Sequence, residues 1–299
     1  MQIHKIPFNA MACGCEIVLA TDSEQQAMRV AKAAVEEVFR IQKKFSRYTH
    51  DSIVSRINAA ASQAPVVCDD ETWSLLEFAD NLYRNSDQLF DITAGVLRKI
   101  WNFQEPHIPD EYQLAEACKL IDWSVVERSD HQIRLPRQGM EIDFGGFGKE
   151  YAADRAADVV STYGMQHGYI NLGGDIRVLG PKPDNSPWMI GIQNPRKKNQ
   201  LIASIPLTQG ALATSGDYER FFELDGRRYC HILNPFTGQP VHQWRTVSVI
   251  APLATLAGSC TTIAMLKQQD ALRYLDDTGL NYLAMDQHEQ IHMRQTQVA

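Results

Sequence analysis

Four short polar runs punctuated by glycine hold most of the residues able to do chemistry. They are Asp143-Phe144-Gly145-Gly146-Phe147-Gly148-Lys149, Asn171-Leu172-Gly173-Gly174-Asp175, Thr214-Ser215-Gly216-Asp217-Tyr218 and His231-Ile232-Leu233-Asn234-Pro235-Phe236-Thr237-Gly238. The first places a carboxylate and a lysine around glycines that let a ligand reach the backbone. With Lys149 at a helix start, the helix N-terminus and the ammonium together suit a phosphate. His231 adds a group that titrates near neutrality. Each run alone also reads as a turn with satisfied polar side chains; together, each following a strand-like segment, they point to a ligand site. The familiar nucleotide motifs are excluded. A phosphate loop needs glycine where Asp143 stands and Ser or Thr where Glu150 stands. The dinucleotide fingerprint fails at Tyr151, and neither GxSxG nor HExxH occurs.

The elements that must position these runs follow from hydrophobic spacing. Residues 15–20 read as a strand, and a capping box over Ser23–Gln26 opens a long helix. Its stripe is Ala27, Ala31, Ala34, Val38, Ile41 and Phe45, a period that no strand produces. A second helix is expected over 73–84 and a third from Thr93. Beyond about residue 130, strand-like segments cover 132–135, 140–144, 169–172, 188–192, 201–207, 229–233 and 246–250. Helices over 149–163 and 255–266 interrupt them, and an α–β–β stretch over 270–293 closes the chain. This pattern predicts an α+β fold of largely antiparallel sheets with packed helices. No linker rich in Pro, Gly or Ser divides the chain, so residues 1–299 are expected to form one unit. Its helix-rich part spans about 1–130 and its strand-rich part 131–299.

With 299 residues, 44% of them hydrophobic and 22% charged, the composition is that of a globular protein. A net charge of −7 without a basic run argues against nucleic acid or an anionic membrane as partner. No stretch approaches the roughly 20 apolar residues that span a bilayer, so no membrane insertion is expected. Cys13, Cys15, Cys68, Cys118, Cys230 and Cys260 form no CxxC pair, and read as mostly buried free thiols in a reducing compartment.

In type and order the polar runs resemble the signature of the ApbE family, the FAD:protein FMN transferases. Met11-Ala12-Cys13 stands where that family has Met-Gly-Thr, and Phe45-Ser46-Arg47-Tyr48 with Ser52 and Asn58 is similar to its second motif. Phe90-Asp91-Ile92-Thr93-Ala94-Gly95, with Leu97 and Trp101, resembles FDxTxG, and Asp143 to Asp154 resembles IDxGGxxKGxAxD. Residues 171–175, 213–218 and the HIxNPxTG run of 231–238 complete the set. The resemblance implies an ApbE-like, T-fold-related architecture with a flavin site between subdomains. It implies cleavage of FAD with Mg²⁺, FMN esterified to a Thr or Ser of a target flavoprotein, and release of AMP. Carried over by position, it places flavin and adenosine contacts on Met11, Tyr48, Leu89, Phe90, Asp91, Asp143, Lys149 and Leu233. It makes His231 the base and puts the metal at Gly146, Thr261 and Thr262.

Two positions depart from the family. Gly258 stands where the metal-binding helix has Asp. The expectation is therefore weak metal binding that appears only when FAD brings its phosphates, and a gain on Gly258→Asp. The alternative is a catalytically weakened relative that binds or hydrolyses FAD. Glu150 replaces a glycine and reads as an acid favoured at a helix start. The few residues before Met11 leave no room for a signal or a lipid-bearing Cys, so a cytoplasmic location is expected. A periplasmic one remains if a longer chain was trimmed.

Overall fold

The computed structural model describes residues 1–197 and 199–295. β1 (Gln2–Ala10) pairs antiparallel with β2 (Cys13–Thr21), whose run Ile17–Ala20 is buried. Ser23 caps α1 (Glu24–Phe45) by accepting from the Gln26 amide, and the apolar stripe read from the spacing is buried throughout. The other half of the expected capping box is missing, because the Gln26 side chain accepts from Thr21 Oγ1 at 2.8 Å instead. α2 (Ile53–Ala59) and β3 (Val66–Val67) follow. α3 (Asp70–Asn85) starts earlier than its apolar pattern, since Asp69 Oδ1 accepts from the Thr72 amide at 2.9 Å. The expected third helix is a 3₁₀ helix over Ile92–Lys99, opened by Asp91.

After α4 (Glu111–Cys118), the short strands β4 (Glu127–Ser129) and β5 (Gln132–Arg134) form a small sheet with β3. Residues 140–144 are not the strand that their apolar content suggested. The Asn58 carboxamide takes both backbone groups of Ile142, at 2.7 and 3.0 Å, and the Asp143 N–H donates to the Ile92 carbonyl. The bonds that a partner strand would supply are thus made elsewhere.

α5 (Gly148–Thr162) turns a small-residue face, including Ala152, Ala153 and Ala156, into the core beside α1. The hairpin β6 (Gly168–Leu172) and β7 (Asp175–Gly180) turns at Gly173 and Gly174, both at positive φ. β8 (Trp188–Gln193), β9 (Leu201–Leu207), β10 (Gly210–Gly216), β11 (Phe221–Leu224) and β12 (Arg227–Cys230) follow. β12 ends before His231, so the motif histidine lies in a turn rather than in the expected strand over 229–233. β13 (Trp244–Ala251), α6 (Ala254–Lys267), α7 (Ala271–Thr278), β14 (Asn281–Asp286) and β15 (Ile291–Arg294) complete the fold.

The main sheet runs β1-β2-β6-β7-β10-β13-β14-β15, with every neighbouring pair antiparallel. The class is α+β, as the pattern of elements implied. β7 alternates across this sheet. Ile176 and Val178 pack with β8 and β9, while Asp175 and Arg177 reach α5. α6 is buried nearly all round, the mark of a central helix. Among the described residues, no helix is long and apolar enough to cross a membrane.

Candidate active site

Two contacts lock α5 to β7. Lys149 Nζ lies 2.8 Å from Asp175 Oδ2, and Arg177 Nε lies 3.2 Å from Asp154 Oδ1. Asp154 also caps α6 from outside that helix, accepting from the Ala254 and Thr255 amides at 2.9 Å each and from Thr255 Oγ1 at 2.7 Å. One turn before Asp154, the Glu150 side chain lies against Gly258 of α6. A Cβ on Gly258 would stand 2.5 Å from both Glu150 Cγ and Oε1. Glu150 is buried, and its Oε2 has no hydrogen-bond partner. Burial and the nearby Asp175 carboxylate push its acid up to about 8. Against the cost of burial, Asp175 and Glu150 hold the Lys149 ammonium above its ordinary range.

The loop entering α5 is held from below. Asp143 Oδ1 accepts from the Gly145 amide at 2.8 Å, while Oδ2 faces Arg47 at 3.3 Å and Arg98 at 3.4 Å. Gly146 must be glycine, because a Cβ would lie 2.7 Å from Phe90 Cζ.

His231 is fixed at the mouth of the turn that follows β12. Its backbone N–H donates to the Arg220 carbonyl at 3.0 Å, and its Nδ1 lies 3.3 Å from the same oxygen. A carbonyl can only accept, so this contact assigns the proton to Nδ1 and leaves a lone pair on Nε2. Burial, Arg98, Arg220 and Lys149 depress its pKa to about 4. Asn234 pins the same turn by accepting from the Phe236 and Thr237 amides, and Trp101 Nε1 donates to the Gly238 carbonyl at 2.7 Å. Cys13 lies beside this group, its Sγ 3.7 Å from Cys15 Sγ. The Cys15 contact, with Lys149 nearby and burial opposing, lowers its thiol to about 7. The positive charges of Lys149, Arg98 and Arg220 all act on this neutral, proton-accepting imidazole, a basin in the electrostatic sense. Such a basin suits a polyanion that reacts with a hydroxyl.

The residues expected from sequence divide accordingly. Lys149 and His231 share the basin, and Asp143 joins it through Arg98. Tyr48 is 82% exposed, with the Arg47 guanidinium 5.9 Å from its ring centroid. Met11 occupies the β1–β2 turn at φ 51°, its amide donating to Gln42 Oε1. Leu89 is half-buried, and Leu233 is half-buried and bridges Pro240. Phe90 is buried beneath Gly146, and the Asp91 carboxylate accepts from Thr93 and Trp123. Both side chains are engaged within the protein, Phe90 by packing and Asp91 by hydrogen bonds. Thr261 is also committed, its Oγ1 bonding the Gly258 carbonyl and Ser215 Oγ, each at 2.8 Å. Thr262, 3.4 Å from Ser215 Oγ, retains bonding capacity. Sequence reasoning missed Arg98 and Arg220, which lie in no motif of their own. It also passed over the juxtaposition of Glu150 with Gly258, for which two unusual residues in otherwise regular motifs were the available signal.

Residues 11–284 match the ApbE family. The FAD:protein FMN transferase of Treponema pallidum is 33% identical over 268 residues, covering 81% of this chain and 74% of that protein. The FAD:protein FMN transferase of Salmonella typhimurium is 31% identical over 247 residues, covering 79% and 70%. The crystal structure of the ApbE protein of Thermotoga maritima superposes with a TM-score of 0.90 at 31% identity, over 98% of this chain and 97% of that one. The flavin transferase ApbE of Vibrio cholerae shares the fold, with a TM-score of 0.85 at 21% identity over 99% and 97% of the two chains. With sequence and fold both matched across most of its length, this chain belongs to the ApbE family.

Proposed function

We propose that this protein is an enzyme that transfers the FMN half of FAD to a hydroxyl of a target flavoprotein and releases AMP. The observation that carries this reading is His231, whose Nδ1 is held by the Arg220 carbonyl and whose imidazole is acted on by the cations Arg98, Arg220 and Lys149. The acceptor is a Thr or Ser side chain. Its oxygen forms a bond to the FMN phosphorus, and the bond from that phosphorus to the bridging oxygen breaks. AMP departs with the bridging oxygen, while the hydroxyl proton passes to His231 Nε2. The cations neutralise charge on the phosphates, and His231 is already unprotonated at neutral pH.

Mg²⁺ fits the chain on one observation, the partnerless buried oxygen of Glu150 where α5 meets α6. Among the described residues, no group of three or more His, Cys, Asp or Glu could hold a metal, and phosphate oxygens of FAD would complete the coordination. Thr262 Oγ1 and the Gly146 carbonyl would contribute. When bound, the ion would neutralise phosphate charge. The free cysteines support a reducing, cytoplasmic setting as part of this proposal.

The test is incubation with FAD and Mg²⁺, with and without an acceptor domain, followed by measurement of AMP and covalent flavin. Stoichiometric AMP and protein-bound FMN are expected only with acceptor. AMP at equal rates without acceptor would make the protein a hydrolase, and no FAD binding at all would end the flavin reading.

A further inference from the structure

Glu150 and Asp154 lie one turn apart on the face of α5 that meets α6, yet their carboxylates are treated in opposite ways. Asp154 is satisfied by three donors and Arg177. Glu150 is 8% exposed, and its Oε2 is bonded to nothing. Its sequence neighbour Lys149 does not serve it, since that ammonium goes to Asp175. A buried carboxylate oxygen without a donor is costly unless something else meets it. What faces Glu150 is a hole made for it. Gly258 is the position on α6 where any side chain would collide with Glu150, at 2.5 Å. Glycine there also weakens the helix by about 1 kcal/mol relative to alanine. Thr262 follows Gly258 by one turn on the same helix face, and Ser215 lies beside it at 3.4 Å. A buried carboxylate oxygen without a donor, set against the helix that also carries the Thr262 hydroxyl, offers oxygen ligands to a hard divalent cation.

We infer that Glu150 supplies the protein carboxylate for the divalent ion that accompanies FAD. The ligand has moved from α6, where Gly258 now stands, to the facing position on α5. This inference rests on the function proposed above. It reverses two sequence-based expectations. Glu150 is not an incidental acid at a helix start, and Gly258→Asp alone cannot restore a ligand, because Glu150 fills the space its side chain would need.

The test is a Mn²⁺ titration read by electron paramagnetic resonance, with and without FAD. FAD affinity in EDTA and thermal melts are measured beside it. Wild type is expected to bind Mn²⁺ in the presence of FAD. Glu150→Gln should weaken Mn²⁺ by about tenfold or more, since even indirect partners of a metal cost 10–100-fold, while FAD affinity in EDTA holds. Gly258→Asp should gain no affinity and melt lower. The double variant Glu150→Gly/Gly258→Asp, with one carboxylate returned to α6, should recover Mn²⁺ binding and guards against misfolding of the single variants. Mn²⁺ binding by Glu150→Gln equal to wild type, no Mn²⁺ binding by wild type, or a double variant no better than Glu150→Gln overturns the inference. Loss of FAD affinity in EDTA from wild type itself would instead count against the proposed function.

Discussion

Removing the Asp154 carboxylate should release α6 and cost a large part of the stability of the site. α6 starts after Leu253, which has no capping side chain, so Asp154 supplies from α5 the oxygen that a Ser or Asp would normally provide. Loss of a cap costs about 1–2 kcal/mol. Asp154 also pairs with Arg177, and breaking a buried pair costs about 3–5 kcal/mol. Arg177 keeps its bonds to the Val178 and Gly210 carbonyls, which moves this second cost to the low end of its range. One carboxylate makes all these contacts, so the two costs overlap rather than add. Asp154→Ala should therefore lose about 3–4 kcal/mol. Asp154→Asn keeps one acceptor but loses the charge, and should lose about 2 kcal/mol. Urea midpoints measure this directly. In a melt, at about 2–4 °C per kcal/mol, the Ala variant should fall by roughly 6–16 °C. A loss below about 1 kcal/mol for Asp154→Ala would refute the view that α5 anchors the start of α6.

Because the folded pKa of His231 is about 4, the acidic limb of kcat/KM should fall near pH 4 rather than 6.5, and a limb at 6.5 would contradict the cationic basin. Protons bind the unfolded chain first, so His231 contributes stability above about pH 6.5 that is lost as pH falls from there through 4. Lys149→Ala strands the buried Asp175 and should lose about 3 kcal/mol in a melt. Adding Asp175→Asn should recover stability but not FAD affinity, and equal weakening of FAD and riboflavin would show that Lys149 does not meet a phosphate. Gly258→Ala gains about 1 kcal/mol of helix propensity but loses about 1–3 to overpacking against Glu150. It should destabilise wild type yet stabilise a Glu150→Gly chain, and a stabilised single variant would refute the packing. With its thiol near 7, Cys13 should be the first cysteine alkylated by iodoacetamide at pH 7.5, and FAD should slow it. Mass spectrometry that found a buried cysteine modified first would contradict this.

Where local pattern decides structure, the sequence was legible. The stripe of α1 and the glycine turns at 173–174 and 238 follow from spacing and from residues that tolerate positive φ. Where a distant side chain decides it, local pattern misleads. Residues 140–144 have strand-like composition, but Asn58 takes their backbone bonds. β1 escaped notice because Gln2, His4, Lys5 and Asn9 interrupt its apolar residues, and pairing with β2 and the packing of Ile6 and Phe8 on the core keep it extended. In the site, Lys149 and His231 stand out by motif, whereas Arg98 and Arg220 gain significance only where folding lets their charges act on one imidazole. Glu150 and Gly258 each look ordinary or defective alone, and acquire meaning as a contact between two helices.

The place of β2 in the sheet bears on how the chain is made. Its first partner, β1, precedes it, but its second, β6, is registered with Cys15 opposite Leu172. At about 5–20 residues per second, synthesis of the intervening 150 or so residues takes roughly 8–30 s. For that time the buried run Ile17–Ala20 has an open edge, and the apolar stripe of α1 still awaits α5. An unpaired apolar edge is a template for joining another chain. The nascent protein therefore passes through an association-prone interval set by strand order, and any product that stops before β6 retains that edge permanently.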